Sequence, residues 1–292
     1  MNIEDFITGE RFQALADVSI IPEGNAVGES NCDFVVKQQQ NNNYTTFYYN
    51  ALTDTLPDYV QNARTIFVNN WTLDKFFNII FPLLKNKYIF ISHNSDSAFT
   101  DAYNNYLNNE KVIRWYSQNK ALYHEKLFAL PIGIANQQYP HGNLELLSQI
   151  INSPFDKQYL TYKNFDIYTN FQVRSHIDHI TSQNGIQMNP KTDQVNYLTS
   201  IAKSFFCISP PGNGVDCHRV WECLFLKTVP VIKWDTCYEQ FKHLPILFID
   251  DWCKVTKEFL NNQIPTFTNL THKVLPELDI SYWKNKILNV NI

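Results

Sequence analysis

The stretch from Phe205 to Ile232, FFCISPPGNGVDCHRVWECLFLKTVPVI, limits the fold of this chain more than any other. Phe205 to Ile208 is a short apolar run of strand type, and Pro210, Pro211, Gly212, Asn213 and Gly214 stop either regular structure from continuing. A helix is expected to follow from Cys217 to Lys227, with Asp216 as its N-cap and Val220, Cys223 and Leu224 on its apolar side. Val229 to Ile232 is β-branched again and reads as the next strand. The unit is strand, glycine loop, helix, strand.

The first turn of that helix carries His218 and Arg219. Cations at the positive end of a helix dipole cost roughly 0.3–1 kcal/mol each. The glycine loop also points backbone N–H groups at the same place, so loop and side chains together describe an anion pocket. Glu222 lies three residues after Arg219 and four after His218, on the same helical face. A carboxylate beside an anion pocket suits a diol. The expected ligand is a nucleotide, its diphosphate on Gly212, Asn213, Gly214 and Arg219 and its ribose on Glu222. The competing reading is a buried crossover in which Arg219 and Glu222 pair with each other. The loop is neither a Walker motif nor a dinucleotide fingerprint, because no Lys-Ser or Lys-Thr follows and the third glycine is missing.

At these residues the chain resembles the exostosin-like glycosyltransferases, in which an Arg and a Glu on the helix after a Pro/Gly loop precede a Pro-Val-Ile strand. Phe90 to Asp96 (FISHNSD) and Leu130 to Gly142 (LPIGIANQQYPHG) resemble further segments of that family, as does the run of strand, Thr169, Asn170 and a helix bearing Arg174. The resemblance implies an α/β fold of GT-B type, two Rossmann-like domains with parallel sheets facing across a cleft. It also implies a nucleotide-sugar donor and an inverting, metal-independent transfer, with Arg174 as a second diphosphate contact. No cofactor is expected beyond the nucleoside-diphosphate-sugar substrate.

A chain of 292 residues is long enough for two domains with separate cores. The net charge of −4 argues against a nucleic-acid partner. Five arginines stand against nineteen lysines, and two of the five, Arg174 and Arg219, follow strand-to-helix loops in the second half. An Arg fork suits a diphosphate better than a Lys point charge does. No apolar run is long enough to span a membrane and the N-terminus lacks a secretory pattern, so a cytoplasmic location is expected. Set against the membrane-anchored animal members of the family it resembles, this implies a bacterium or a virus-infected host. The six cysteines form no CxxC pair, five of them lie in the expected core or helices of the second half, and they are expected to be reduced, small apolar residues.

Along the chain, Val18 to Ile21 opens the first sheet and Gln38 to Asn43 (QQQNNN) is expected to be a solvated loop. Thr65 to Val68, a helix from Leu73 to Leu84, and Tyr88 to Ser92 form a β-α-β unit. Its second strand ends in His93, Asn94, Ser95 and Asp96, at the carboxyl edge where open α/β sheets place ligands. Asp96 or His93 is the candidate base for an acceptor hydroxyl, with Asn94, Asn136 and His141 as candidate acceptor contacts. The first sheet is expected to be parallel throughout. Asn152 to Lys163 reads as a linker and Phe165 to Tyr168 as the first strand of the second domain. His176, Asp178 and His179 imitate a metal site but lack a third protein ligand, so a solvated helix face is the default and no metal is expected. The expected division is 1–155 for the acceptor side, 156–275 for the donor side, and 276–292 for a helix returning to the first domain.

These readings converge on transfer of a sugar from a nucleoside-diphosphate donor to a glycan hydroxyl. The rivals are a sugar-nucleotide epimerase of the same fold and a non-catalytic carbohydrate-binding protein.

Overall fold

The computed structural model describes residues 2–22, 33–40 and 43–290. Within them the strands are β1 (Val18–Ile21), β2 (Phe34–Gln40), β3 (Asn43–Tyr49), β4 (Thr65–Asn69), β5 (Tyr88–His93), β6 (Val112–Ser117), β7 (Leu127–Ala129), β8 (Tyr159–Tyr162), β9 (Ser204–Ile208), β10 (Val229–Lys233) and β11 (Leu247–Ile249). The α-helices are α1 (Gly9–Ala14), α2 (Asp58–Gln61), α3 (Leu73–Ile79), α4 (Asn104–Leu107), α5 (Leu144–Ile151), α6 (Phe171–Gln183), α7 (Gln194–Ala202), α8 (His218–Phe225), α9 (Lys257–Thr268) and α10 (Ile280–Leu288).

The chain divides into two compact units. One comprises Met1–Thr8 and Pro131–Ile280, the other Gly9–Leu130 and Ser281–Ile292. The boundary expected at 155/156 therefore falls inside the first unit, and Asn136 and His141 belong with the glycine loop. Backbone pairing explains the grouping: Thr8 bridges Ile134, and the buried Asp216 carboxylate accepts from the Ile132 N–H at 2.7 Å. The segment after Ser281 groups with Gly9–Leu130, where Trp283 meets Phe12 edge-on at 5.9 Å and the Lys286 carbonyl accepts from the Tyr116 hydroxyl.

The first unit is built on a four-stranded sheet in the order β11-β10-β9-β8, parallel throughout. Its first strand is not Phe165 to Tyr168. That segment holds the start of a 3-10 turn (Ile167–Asn170), because the Asp166 side chain accepts from the Tyr168 N–H. The strand is β8, within the stretch expected to be a linker. Lys157 and Lys163 flank β8 and give it the polar look of a linker, yet Lys163 is fully buried, paired with Asp178 at 2.7 Å and donating to Thr181, Ser182 and the Ile186 carbonyl. Asp178 is thereby committed to Lys163, which removes it from the metal-like trio with His176 and His179.

The second unit carries a seven-stranded sheet, β3-β2-β1-β4-β5-β6-β7. The pairs from β1 through β4 to β7 are parallel, but β1–β2 and β2–β3 are antiparallel, so the sheet is mixed rather than parallel. Gln38 to Gln40 and Asn43 sit in the hairpin strands instead of a loop, residues 41–42 lying outside the described residues. Backbone pairing needs no apolar side chain, and so short a link joins only antiparallel strands. Two helix expectations also shorten. Pro82 breaks the helix begun at Leu73 into α3 and a 3-10 turn, and the helix that the sequence from Ala98 to Leu107 suggests reduces to a turn at Asp101–Tyr103 and α4. Phe76, Phe77, Phe90, Phe99 and Trp115 fill the core, Phe90 and Trp115 stacking at 4.4 Å.

Candidate functional site

The glycine loop leaves the carboxyl end of β9 and opens α8, as the sequence requires. The helix begins at His218 with Cys217 as its N-cap residue, and no side chain caps it. Asp216 does not cap. It is buried, accepting from Ile132 N–H, Trp221 Nε1–H at 2.9 Å and the Tyr238 hydroxyl at 3.0 Å. Burial pushes its carboxyl up to about 6, with these donors and the Cys217 N–H pulling the other way. Its role is to fix the loop's frame from inside. Lys227, at φ 55°, closes the other end of α8, and its N–H and that of Thr228 return to the Leu224 and Cys223 carbonyls in a Schellman arrangement.

Arg174, at the start of α6, meets the loop directly. It is only 6 % exposed. Its Nε donates to the Pro211 carbonyl and its Nη1 to the Asp166 carbonyl, both at 2.8 Å. A Cβ on Gly212 would lie 3.2 Å from Arg174 Nη2, so glycine there lets the guanidinium lie against the backbone. Asn170 Nδ2 donates to the Gly212 carbonyl at 2.8 Å. The Gly212 N–H turns inward to the Gly214 carbonyl, which takes that one donor out of the expected cradle. Asn213 is exposed and Gly214 buried.

Arg219 stands in the first turn of α8, partly buried. It does not pair with Glu222. Its Nε donates to the Tyr197 hydroxyl at 3.1 Å, and that hydroxyl donates to Glu222 Oε2 at 2.9 Å. Tyr197, on α7, is the residue sequence reasoning missed; only the packing of α7 on α8 brings it there. Burial holds the Glu222 carboxyl above the usual carboxylate range, against the pull of Tyr197 and Arg219. The Phe165 ring joins the two guanidiniums, with Arg174 5.7 Å and Arg219 6.0 Å from its centroid. Burial, then the nearby Arg219 charge, lowers the pKa of Arg174. Among the described residues no carboxylate forms an ion pair with either arginine.

His218 Nδ1 lies 2.7 Å from the Gly133 carbonyl, so Nδ1 carries the proton and donates. Gly133 holds φ 69°, and a Cβ there would meet the Ile7 carbonyl at 2.5 Å. His141 lies 5.9 Å from His218, ring to ring, and burial lowers its pKa. The Asn136 carbonyl accepts from Tyr139 N–H in the same segment.

The remaining candidates belong to the second unit. His93 is 1 % exposed, stacked on Phe12 at 5.2 Å, with Nδ1 accepting from Asn94 N–H at 2.7 Å. Asn94 adopts φ 61° and donates to Gln13. Asp96 is exposed in the loop after β5, and its carbonyl accepts from Asn119.

The five cysteines among the described residues are free, with Cys207, Cys223 and Cys237 buried and Cys253 exposed. No described helix is long and apolar enough to cross a membrane.

No family model matches this chain, and no curated protein matches it. Among solved structures, the chain is similar to a UDP-forming α,α-trehalose-phosphate synthase from Burkholderia xenovorans at 11% identity and TM-score 0.42, over 77% of this chain and 72% of that one. A second, from Burkholderia vietnamiensis, is similar at 13% identity and TM-score 0.34, over 77% and 73%. Scores and identities this low assign the chain neither a substrate nor a chemistry.

Proposed function

We propose that the first unit binds the diphosphate of a nucleoside-diphosphate sugar and that the chain is a glycosyltransferase of GT-B type. One observation carries this: two guanidiniums, Arg174 and Arg219, share the Phe165 ring beside the glycine loop, and among the described residues no carboxylate forms an ion pair with either. Two like charges in a shielded site repel, and a dianion offsets both charges at once. Arg forks match phosphate oxygens in two places at a time. Glu222 and Tyr197, lying past Arg219, supply an acceptor and a hydroxyl for the ribose diol.

In the reaction the bond between the anomeric carbon and the diphosphate oxygen breaks as an acceptor hydroxyl forms its own bond to that carbon. The proton leaves with a base, and the electron pair stays on the departing diphosphate. Arg174 and Arg219 stabilise that developing charge. Transfer is proposed to invert and to need no divalent ion, since the two arginines already supply two positive charges. Of the candidate bases, Asp96 has the solvent access that His93 lacks. His218, with Nδ1 held by Gly133, is proposed to assist at the phosphate or sugar through Nε2.

The test is calorimetric titration with a panel of nucleoside diphosphates and their sugars, followed by mass analysis of added glycans with and without chelator. Arg219→Ala is expected to weaken nucleotide binding by about 10- to 100-fold, the loss of a charge-assisted contact. Binding of no nucleotide by the wild-type protein would refute the reading. Conversion of donor without transfer would favour the epimerase.

A further inference from the structure

Beside the anion pocket stands a pair of aromatic rings that folding does not use. Tyr168 is 83% exposed and Phe171 58%, and their rings stack at 5.9 Å with planes 18° apart. Single exposed aromatics are ordinary, but two stacked together one turn from a polar site form a surface.

Their place follows from the residues between them. Thr169 and Asn170 lie against Gly212: a Cβ on that glycine would be 3.6 Å from Thr169 Cγ2, and Asn170 donates to its carbonyl. The Asp166 side chain holds the Tyr168 N–H at 2.9 Å while the Asp166 carbonyl holds Arg174. The two rings therefore flank, along the chain, the Thr169 and Asn170 that meet the glycine loop. Glu222 and Tyr197 lie at the other end of a continuous line of contacts, from Glu222 through Tyr197, Arg219, Phe165 and Arg174 to Asp166 and Tyr168. A nucleotide whose ribose sits on Glu222 and whose diphosphate spans the arginines presents its sugar end to Tyr168 and Phe171.

We infer that Tyr168 and Phe171 are a stacking platform for a pyranose ring, a specificity element that rests on the nucleotide-sugar reading of the adjoining pocket. A pyranose has an apolar C–H face that suits a flat ring and a rim of hydroxyls that suits polar neighbours. The Asp166 carboxylate, held beside Tyr168, and the Asn170 side-chain oxygen supply polar groups for that rim. The ring is either the donor's sugar or a residue of the acceptor glycan, and the same variants separate the two.

The experiment uses the full chain as wild type, Tyr168→Ala, Phe171→Ala and Tyr168→Phe. Saturation-transfer NMR is recorded with cellotetraose, chitotetraose and maltotetraose, and calorimetry with a nucleoside diphosphate and its matching sugar nucleotides. Each alanine variant is expected to weaken sugar binding by up to about tenfold, the scale of one aromatic stacking contact. Affinity for the bare nucleoside diphosphate is expected to stay unchanged, and Tyr168→Phe to bind as wild type because it keeps the ring face. A loss confined to sugar nucleotides assigns the platform to the donor; a loss confined to tetrasaccharides assigns it to the acceptor. Sugar binding unchanged in both alanine variants overturns the inference. So does binding of no sugar by the wild type, or a change in sedimentation alone, which would make the patch a contact between copies. Failure of the pocket itself reads differently: the bare nucleoside diphosphate then does not bind the wild type, whatever the rings do with tetrasaccharides.

Discussion

The carboxyl ends of the parallel strands in the two units carry similar residue types and use them in opposite ways. After β5 and β6 the polar groups face one another. The Ser92 hydroxyl takes the Trp115 Nε1–H at 2.8 Å and meets the Ser117 hydroxyl at 2.9 Å, and His93 lies sealed under Phe12 with its Nδ1 accepting. After β8 and β9 two guanidiniums stand without an ion-paired carboxylate among the described residues. Arg174 and Arg219 meet only carbonyl and hydroxyl oxygens, and His218 has the opposite tautomer to His93, with Nδ1 donating. The mutually bonded Ser92, Ser117 and Trp115 contribute to stability, although the buried Asn70 Oδ1 and Gln118 Oε1 nearby have no partner, whereas guanidiniums without an ion-paired carboxylate are ready for an anion.

The comparison breaks most severely at cations. Lys163 and Arg174 are both buried in the first unit, but Lys163 has a carboxylate and Arg174 has none. Lys163→Ala is expected to cost about 3–5 kcal/mol in urea unfolding, the penalty for stranding a buried ion pair. A loss under about 1 kcal/mol would mean that Asp178 hydrates freely and the pair is not structural.

The next effect is in pH. Folding raises the Asp216 pKa from 3.8 to about 6, so the folded state holds this proton more tightly than the unfolded chain. Its contribution to stability is fully present below the unfolded pKa and is lost as pH rises through about 6. A two-unit shift corresponds to about 3 kcal/mol. The stability difference between wild type and Asp216→Asn, measured across pH 3.5 to 7.5, should move by that order against the wild type as pH rises. A flat difference would show that the hydrogen-bond donors offset burial and leave the carboxyl with its unfolded pKa.

The smallest effect sharpens the other edge. Ser92→Ala leaves the buried Trp115 Nε1–H without its acceptor and is expected to lower stability by about 1–3 kcal/mol. It should leave nucleotide affinity unchanged. A change in that affinity instead would give the edge after β5 a part in binding the nucleotide.

The sequence made some of this legible and hid the rest for physical reasons. The strand, loop and helix from Ser204 to Lys233 match their expected extents within about two residues, because Pro210, Pro211 and the glycines punctuate sharply and the helix face is apolar. The strand β8 was hidden, because the lysines flanking it resemble solvated charge and only folding reveals their oxygen partners. Asp216 has the residue type and spacing of a cap, yet a carboxylate that finds an indole, a phenol and an amide inside the unit has no reason to cap. Arg174 was visible only through its neighbours Thr169 and Asn170. Tyr197 carried no signal at all, since its hydroxyl reaches Arg219 and Glu222 through helix packing.

The central claim is that Arg174 and Arg219 hold a diphosphate between them, and a crystal structure with a bound nucleoside diphosphate tests it most directly. The predicted result is phosphate oxygens on both guanidiniums and ribose hydroxyls on Glu222. A nucleotide bound elsewhere, with both arginines contacting only Pro211, Asp166 and Tyr197 as before, would contradict it.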